Sequence, residues 1–314
     1  MKKNMLIIGD TGFIGGACLR YFSNNSEKYD ITCVNLSSER SEKIPGVTYL
    51  TKDMRIEENV VSLLKGKDIV LQMAATTTGS KDVIERPWLH VTDNAVMNSW
   101  ILREAHLNGV EHVIFPSCTV MYQPKEEAQK ESDWRVGDDI YGPYFGVGKM
   151  KVFVEDMCKF YASRGTTKYT AIRHSNVYGP HDKFDFDKCH MVPAMVRKVA
   201  EAESNINIWG RGKAKRDILY IDDLVRFIDL ALHNQNTSYE LYNCGFGEAF
   251  TIQYIIETLK NHSNKDLAMD YDISKPDIPT TVVLDCSKAE KELGWTPLVH
   301  PQEGLVKTYQ WFLS

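Results

Sequence analysis

Short apolar runs alternate with amphipathic segments along the first half of the chain. The apolar runs, each of which predicts a buried strand, are 5–8, 31–36, 47–50, 69–73, 113–115 and 169–173. Two of the segments between them, 13–22 and 92–108, have apolar positions at helical spacing. Strands that alternate with helices at this interval predict right-handed βαβ units. The pattern therefore predicts an α/β fold built on a doubly wound parallel sheet.

Three glycines, Gly9, Gly12 and Gly15, follow the first apolar run. Gly9 permits a sharp turn, Gly12 has no Cβ to hold a pyrophosphate away, and Gly15 lets a helix pack closely on the strand. The N–H groups and positive end of that helix favour phosphates. The residues predicted to bind a dinucleotide here are Gly9, Thr11, Gly12, Phe13, Ile14 and Gly15.

Composition and charge narrow the class of protein. Of the 314 residues, 43% are hydrophobic and 25% are charged, as in an ordinary globular protein. The net charge of −5 argues against a nucleic-acid surface, and no apolar run approaches the ~18 residues of a membrane span. The seven cysteines lack C-x-x-C spacing, and no metal-ligand cluster is visible. We therefore expect a cytoplasmic protein with reduced thiols, no metal, no nucleic acid and no membrane contact.

The glycine spacing G-x-x-G-x-x-G resembles that of the extended short-chain dehydrogenase/reductase family, the NAD-dependent epimerases and dehydratases, which act mostly on nucleotide sugars. Later stretches continue the resemblance, in particular to the GDP-L-fucose synthase branch. They are Asn176-Val-Tyr-Gly-Pro-His-Asp182, Ile208-Trp-Gly-Arg-Gly212, Arg216-Asp-Ile-Leu-Tyr-Ile-Asp-Asp223, Lys275-Pro-Asp277, Leu284-Asp-Cys-Ser-Lys288 and Leu293-Gly-Trp295. The resemblance implies a Rossmann sheet with a smaller C-terminal substrate-binding lobe.

The end of the second predicted strand bears on the choice of cofactor. An acid usually binds the adenine ribose there, but this chain has Asn35, followed by Ser37 and Arg40. Asn35 can still bond a ribose hydroxyl, while Arg40 is either a 2′-phosphate ligand or a solvated charge. We favour NAD, with NADP as the alternative. The resemblance adds further cofactor contacts at Asp53, Met54, Ala74, Ala75 and Thr76.

The catalytic edge is expected after the fifth strand, at Ser117-Cys118-Thr119. Relatives carry a Ser or Thr four residues before the tyrosine that matches Tyr122, and its hydroxyl holds the reacting sugar oxygen. Cys118 stands at that position in this chain. Thr119 is our preferred substitute, and Ser117 is a further candidate for substrate contact.

The family's catalytic pair, Y-x-x-x-K, is altered in this chain. Lys149 matches the lysine, which fixes the nicotinamide ribose and lowers the pKa of the tyrosine. Phe145 stands four residues earlier, where the tyrosine belongs, and Tyr144 is displaced by about 100° around a helix. Three explanations are open: a naturally slow enzyme, a neighbouring group in the tyrosine's role, or an engineered replacement by phenylalanine that traps substrate. We favour the engineered replacement.

The resemblance assigns the sugar nucleotide to residues in the second half of the chain. They are Asn176, His190, Val192, Trp209 and Arg216, with Arg216 on the diphosphate and His190 matching an acid of 3,5-epimerisation. Two departures weaken the case for epimerisation. Val120 replaces the family's cysteine base, and Thr281-Val282 replaces basic residues.

Together these features predict an NAD(P)-dependent oxidoreductase acting at C4 of a nucleotide sugar. A GDP-linked hexose or heptose used for bacterial surface polysaccharide is the preferred substrate. The alternatives are an epimerase or epimerase/reductase and a non-catalytic dinucleotide-binding protein. We expect a dinucleotide-binding domain over 1–170, with crossing segments near 205–235, and mainly a nucleotide-sugar-binding lobe over 171–314. The helices that start near Thr92 and Lys149 carry apolar faces, and in the relatives such faces pair into a four-helix dimer interface, so the resemblance implies a homodimer.

Overall fold

A computed structural model describes residues 1–36, 43–76, 86–186, 189–274 and 281–314. Its strands are β1 (Lys3–Ile8), β2 (Tyr29–Asn35), β3 (Thr48–Thr51), β4 (Ile69–Gln72), β5 (His112–Pro116), β6 (Ala128–Gln129), β7 (Lys168–His174), β8 (Asn176–Tyr178), β9 (Asn205–Trp209), β10 (Lys215–Tyr220), β11 (Tyr239–Cys244), β12 (Ala249–Thr251), β13 (Ala268–Asp272) and β14 (Val283–Leu284). Its helices are α1 (Phe13–Ser23), α2 (Glu57–Leu64), α3 (Thr92–Leu107), α4 (Phe145–Ala162), α5 (Met191–Glu201), α6 (Ile221–Asn234), α7 (Ile252–Ser263), α8 (Ser287–Leu293) and α9 (Pro301–Leu313).

Seven strands form one sheet in the order β11-β7-β5-β4-β1-β2-β3. The pairs from β7 to β3 are parallel. β11 runs the same way beside β7, because backbone bonds join Tyr169 to Ser238 and Ser175 to Cys244. The strand order reverses between β1 and β4. The predicted doubly wound sheet is therefore confirmed, and ligands bind such sheets at the carboxyl ends of the strands beside the reversal.

The central strands are buried because helices cover both faces of the sheet, which explains their continuous apolar sequence. Met5, Leu6 and Ile7 of β1 have no exposed surface. Helices α3 and α4 pack against each other and add residues such as Ile101 and Val154 to the same core. This packing holds the carboxyl ends of β1, β4 and β5 in fixed positions.

The chain divides into two compact units. The first comprises 1–121, 140–173 and 225–242, and the second comprises 122–139, 174–224 and 243–314. The segment 122–139, which was expected in the first domain, therefore belongs to the second unit. It does so because β6 pairs with β14 and the Lys125 amide donates to the Thr281 carbonyl. The separate binding roles of the two parts stay a prediction.

The second unit is built from small sheets and helices. Its sheets are β12-β10-β8, β13-β9 and β14-β6, and α5, α7, α8 and α9 accompany them. A buried carboxylate, that of Asp217, accepts backbone N–H groups of Phe246 (2.8 Å), Gly247 (3.2 Å) and Leu284 (3.2 Å). Burial raises the pKa of Asp217 to about 6. One side chain thus ties β10 to two later segments.

Among the described helices, none combines the length and apolar composition needed to cross a membrane.

Candidate active site

The turn after β1 has the backbone geometry that the glycine spacing predicted. Gly9 has a φ of +91°, and a Cβ placed on it would lie 2.7 Å from the Ala74 backbone nitrogen. A Cβ on Gly15 would lie 2.2 Å from the Gly9 carbonyl oxygen. Only glycine fits at these two positions, because β1, the loop after β4 and α1 approach each other there backbone to backbone. The turn lies beside the reversal of strand order.

Helix α1 opens with its N–H groups pointing out of the turn. Gly12 is the N-cap and has no side chain to cap the helix, and the first turn contains no acidic residue. Thr11 is exposed, while Phe13 and Ile14 are half-buried. A Cβ on Gly12 would lie 3.2 Å from the Gly9 carbonyl oxygen. The N–H groups that begin the helix are therefore available to a phosphate.

Asn35 lies at the carboxyl end of β2 and is almost fully buried, with 9% of its surface exposed. Its Nδ2 donates to Asp10 Oδ1 at 3.4 Å, and its Oδ1 has no hydrogen-bond partner in the described part of the chain. A buried acceptor of this kind suits a hydroxyl donor from a ligand. Ser37 and Arg40, also predicted to bind the cofactor, lie outside the described residues.

Asp53 and Met54 follow β3 and differ in their contacts: Asp53 is ion-paired and Met54 is buried in the core. Asp53 forms an ion pair with Arg55, whose Nη2 lies 2.7 Å from Asp53 Oδ2, and these hydrogen bonds lower the pKa of Asp53. The Met54 side chain is 5% exposed and packs in the core. Asp53 is thus held as an anion, and the cofactor contacts expected of Asp53 and Met54 stay predictions.

A ladder of buried amides holds the segment after β4, where Ala74, Ala75 and Thr76 are predicted to touch the cofactor. Asn94 of α3 accepts from the Thr76 amide and donates to the Thr76 carbonyl, both at 2.9 Å. Gln72 donates to the Ala74 carbonyl and to Asn98 Oδ1, both at 3.1 Å. No role was predicted for these amides. The signal that could have found them is three polar residues at buried positions.

The three residues after β5 face different surroundings. Ser117 is 1% exposed, and its Oγ donates to Glu155 Oε1 at 2.5 Å. Cys118 and Thr119 are half-buried. Burial raises the pKa of Cys118, and Lys151 opposes that rise. The Ser117 hydroxyl is therefore engaged by Glu155, and the substrate contact expected of Ser117 stays a prediction.

Two of the lysines of helix α4, Lys149 and Lys151, lie on different sides of it. Phe145, the first residue of the helix, is 56% exposed, and the Lys149 Nζ lies 5.8 Å from the centre of its ring. Lys151 Nζ instead donates to the Pro116 carbonyl at 2.8 Å, and 4.7 Å separates it from the centre of the Phe115 ring. Two residues rotate a helix by about 200°. The structure thus brings Lys151 to the end of β5.

Lys151 is the functional candidate that the sequence reasoning missed. Burial lowers the pKa of its ammonium, while Cys118 and Glu155 act in the opposite direction. In the described part of the chain, the Pro116 carbonyl is its hydrogen-bond partner, although an ammonium has three donors. A usable signal was Glu155 four residues later, since a lysine and a glutamate at that spacing share a helix face. The Phe145–Lys149 pair is untested, and Lys151 is the alternative partner for the missing tyrosine.

In the second unit, Asn176 and Arg216 lie on neighbouring strands. β8 and β10 run parallel with Asn176 opposite Ile218, and Asn176 Nδ2 donates to the Asp217 carbonyl at 2.9 Å. Arg216 is half-buried, and its Nη1 donates to the Lys215 carbonyl at 2.7 Å. These two predicted substrate residues are therefore close in the structure.

The other predicted substrate residues are placed unevenly. Trp209, at the end of β9, is 65% exposed, and Lys198 Nζ lies 5.8 Å from the centre of its indole ring. His190 is exposed and precedes α5. Val192 is buried, with 2% of its surface exposed. The stretch 275–277 lies outside the described residues.

Residues 5–245 match the NAD dependent epimerase/dehydratase family. The chain belongs to this family, as the glycine spacing and the later stretches predicted. The family description names NAD, in agreement with the expected cofactor.

Relatives with different nucleotides share the full length of the chain. GDP-L-fucose synthase of Escherichia coli strain K12 is 26% identical and covers 100% of this chain and 97% of its own. dTDP-4-dehydro-6-deoxyglucose reductase of Escherichia coli is 27% identical, and the match covers 98% of this chain and 96% of the reductase. The structure of UDP-glucose 4-epimerase from Thermotoga maritima with UDP-glucose has a TM-score of 0.87 and 26% identity, covering 99% and 98%.

The residues of the first unit fit an NAD molecule on three independent counts. Helix α1, which follows the glycine turn, begins without a side-chain cap and without an acidic residue in its first turn, which suits a phosphate. The unsatisfied Asn35 Oδ1 is an acceptor at the carboxyl end of β2, where a ribose hydroxyl would bond. Lys151 supplies further donors at the end of β5. Backbone, acceptor and cation thus occur at three strand ends of one sheet.

Proposed function

We propose that this protein is an NAD-dependent oxidoreductase that acts at C4 of a nucleotide sugar, as a 4-dehydrogenase or 4-ketone reductase. NAD, when bound, would accept or return the hydride. The observation that carries the proposal is the glycine turn, where β1, α1 and the loop after β4 approach so closely that side chains are excluded. Membership of the family supports it.

The chain's own chemistry is assigned to the end of β5. We assign ribose binding to Lys151 rather than to Lys149, because its ammonium is fixed on the Pro116 carbonyl at the strand end. Thr119 and Cys118 are the groups there that would hold the reacting oxygen. The thiol keeps its proton at neutral pH because burial raises its pKa. Cys118 is therefore suited to donating a proton, which favours ketone reduction.

A missing tyrosine is expected to slow turnover. One helical turn before Lys149 stands Phe145, and one turn before Lys151 stands Val147. Neither side chain has an ionisable proton that it could transfer. An engineered replacement at position 145 remains a hypothesis, but the 56% exposure of Phe145 does not support a catalytic position for it.

The substrate is proposed to be a GDP-linked hexose or heptose, used for bacterial surface polysaccharide. The relatives carry GDP, dTDP and UDP in their names. GDP rests on the similarity of the stretches around Asn176, His190 and Arg216 to the fucose synthase branch. Trp209 supports a nucleotide in general, because an exposed indole beside Lys198 offers a stacking surface for a base.

The epimerase alternative has one observation in its favour, which is that His190 is exposed at the start of α5. Val120 replaces the proton-abstracting cysteine and argues against it. A non-catalytic NAD-binding protein is the remaining alternative, which the absent tyrosine favours.

We further propose a cytoplasmic homodimer. All seven cysteines are free thiols, as expected in a reducing compartment. Phe153 and Phe160 of α4 are 48% and 51% exposed and lie on one side of the helix, where a second copy would bury them.

Calorimetry with NAD and then with GDP-mannose, UDP-glucose and dTDP-glucose tests the assignment. We expect NAD to bind, and at least one sugar nucleotide to bind with an affinity that Arg216→Ala lowers by about ten- to a hundredfold, since a charge-assisted bond to the diphosphate is lost. NAD binding should be unchanged in this variant. A protein that binds neither ligand would overturn the proposal.

A further inference from the structure

Three groups of the first unit meet in a buried network behind the end of β5. Glu155 Oε1 accepts from Ser117 Oγ at 2.5 Å and from Arg173 Nε at 3.1 Å, and its Oε2 accepts from Arg173 Nη2 at 2.7 Å. Ser117, Glu155 and Arg173 are 1%, 3% and 2% exposed. All three contacts to the carboxylate are charge-assisted, which makes them short and directional.

The network and Lys151 act on the same short loop from the same helix. Lys151 and Glu155 are four residues apart on α4, so their side chains project from one face. Lys151 holds the Pro116 carbonyl, and Glu155 holds the Ser117 hydroxyl. The Ser117 amide also donates to the Ile172 carbonyl of β7 at 2.7 Å. The last residue of β5 and the first residue after it are therefore fixed by one helix and by the neighbouring strand.

Stability alone is a poor explanation for this arrangement. Burying an ion pair costs desolvation, and apolar side chains of similar volume often stabilise a core as well or better. What an ion pair adds is direction, because each donor and acceptor has one satisfactory position. Here the Glu155 carboxylate holds the Ser117 side chain in the protein interior. Cys118 and Thr119, the next two residues, are half-buried at the strand end.

We propose that Glu155, held by Arg173, is a positioning residue that fixes Ser117 inside the protein and thereby sets Lys151, Cys118 and Thr119 at the active edge of β5. This inference rests on the proposed function for the roles of Lys151, Cys118 and Thr119. It assigns no contact with substrate or cofactor to Glu155, Arg173 or Ser117. Their effect passes through the loop that they hold.

The variant Ser117→Ala tests the positioning role without removing a buried charge. Ser99→Ala is the control, because the Ser99 hydroxyl donates to the Ala95 carbonyl at 2.6 Å and to Met157 Sδ of α4 at 3.7 Å, and not to residues 117–119. Hydrogen exchange of the peptide containing 117–119 and NAD affinity by calorimetry are measured for both. We expect Ser117→Ala to accelerate exchange in that peptide and to weaken NAD binding, each by about tenfold, the value of one hydrogen bond to a charged group.

Ser117→Thr, which keeps the hydroxyl, should restore both values, and Ser99→Ala should change neither. Unchanged loop exchange in a folded Ser117→Ala protein would overturn the proposal. Exchange that rises equally in every peptide would also overturn it, since that result indicates a loss of stability only. Hydrogen exchange in the peptide 117–119 does not depend on NAD. If the parent protein fails to bind NAD, that result would contradict the proposed function and not the positioning role of Glu155.

Glu155→Gln separates the two bonds of the carboxylate. Glutamine retains an acceptor for the Ser117 hydroxyl but removes the charge that pairs with Arg173. We expect loop exchange intermediate between that of the parent and that of Ser117→Ala. Exchange equal to that of the parent would show that Arg173 has no part in holding the loop, which would remove it from the proposal.

Discussion

The carboxyl ends of β1 and β5 belong to one sheet, yet they build their parts of the candidate site differently. The turn after β1 uses backbone: Gly9, Gly12 and Gly15 matter because they lack side chains. The loop after β5 uses side chains: Ser117 and Pro116 are held by Glu155 and Lys151 of α4. At the turn after β1, function depends only on which residue types stand at the three positions. At the loop after β5, function depends on which way each side chain of a helix points.

The comparison shows where a sequence motif can mislead. Three glycines at fixed spacing after an apolar run have few structural solutions. Two lysines two positions apart on a helix face opposite sides of it, and a four-residue spacing can be counted back from either one. Phe145 with Lys149, and Val147 with Lys151, both satisfy the spacing. The contacts of Lys151 with the Pro116 carbonyl and the Phe115 ring favour the second pair.

The largest effect is expected at the glycine turn after β1. Gly12→Val should lower NAD affinity at least about a hundredfold, because a branched side chain enters the path of the pyrophosphate and also crowds the Gly9 carbonyl, which a Cβ would already approach to 3.2 Å. Gly12→Ala should give a smaller loss. Calorimetry measures both variants, and thermal melting checks that they fold. Full NAD affinity in a folded Gly12→Val protein would show that the turn is not the cofactor site.

The next effect depends on whether a catalytic tyrosine belongs four residues before Lys151 or four residues before Lys149. Val147→Tyr should raise turnover of an accepted sugar nucleotide by about a hundredfold, the usual contribution of a positioned proton-transfer group. Val147→Phe controls for the added bulk, since Val147 packs against the core. Phe145→Tyr should have little effect. A large gain from Phe145→Tyr alone would instead restore Lys149 as the partner.

The third prediction compares the lysines directly. Lys151→Met should weaken NAD binding by about ten- to a hundredfold, because donors to the ribose are lost. Lys149→Met is the matched control and should leave affinity close to that of the parent, because the side chain lies beside the exposed Phe145 ring. Calorimetry with NAD decides the outcome. The reverse ranking of the two variants would refute the assignment of Lys151.

The smallest effect concerns the end of β2. Asn35→Ala should weaken NAD binding by about two- to tenfold, through loss of one neutral hydrogen bond. Asn35→Asp places a carboxylate against Asp10 Oδ1, the present partner of the amide at 3.4 Å. Repulsion raises the pKa of a buried carboxyl pair, so the variant should be less stable than the parent at pH 7 and recover as pH falls towards 4. Melting curves across this range test the sign. An Asn35→Asp protein as stable as the parent at pH 7 would show that the two side chains do not interact.

The sequence by itself determined the sheet, the glycine turn and the family, and it grouped Asn176 with Arg216. The sheet and the turn depend on apolar periodicity and on glycines at fixed spacing, which are local properties of the chain, whereas Asn176 and Arg216 were grouped through the resemblance to the family. It could not determine which lysine of α4 reaches β5, that Ser117 points inwards, or that Gln72, Asn94 and Asn98 support the loop after β4. Tertiary structure decided these, because the direction of a side chain depends on the rotation of its helix against the sheet, and that rotation is set by the packing of residues far apart in sequence.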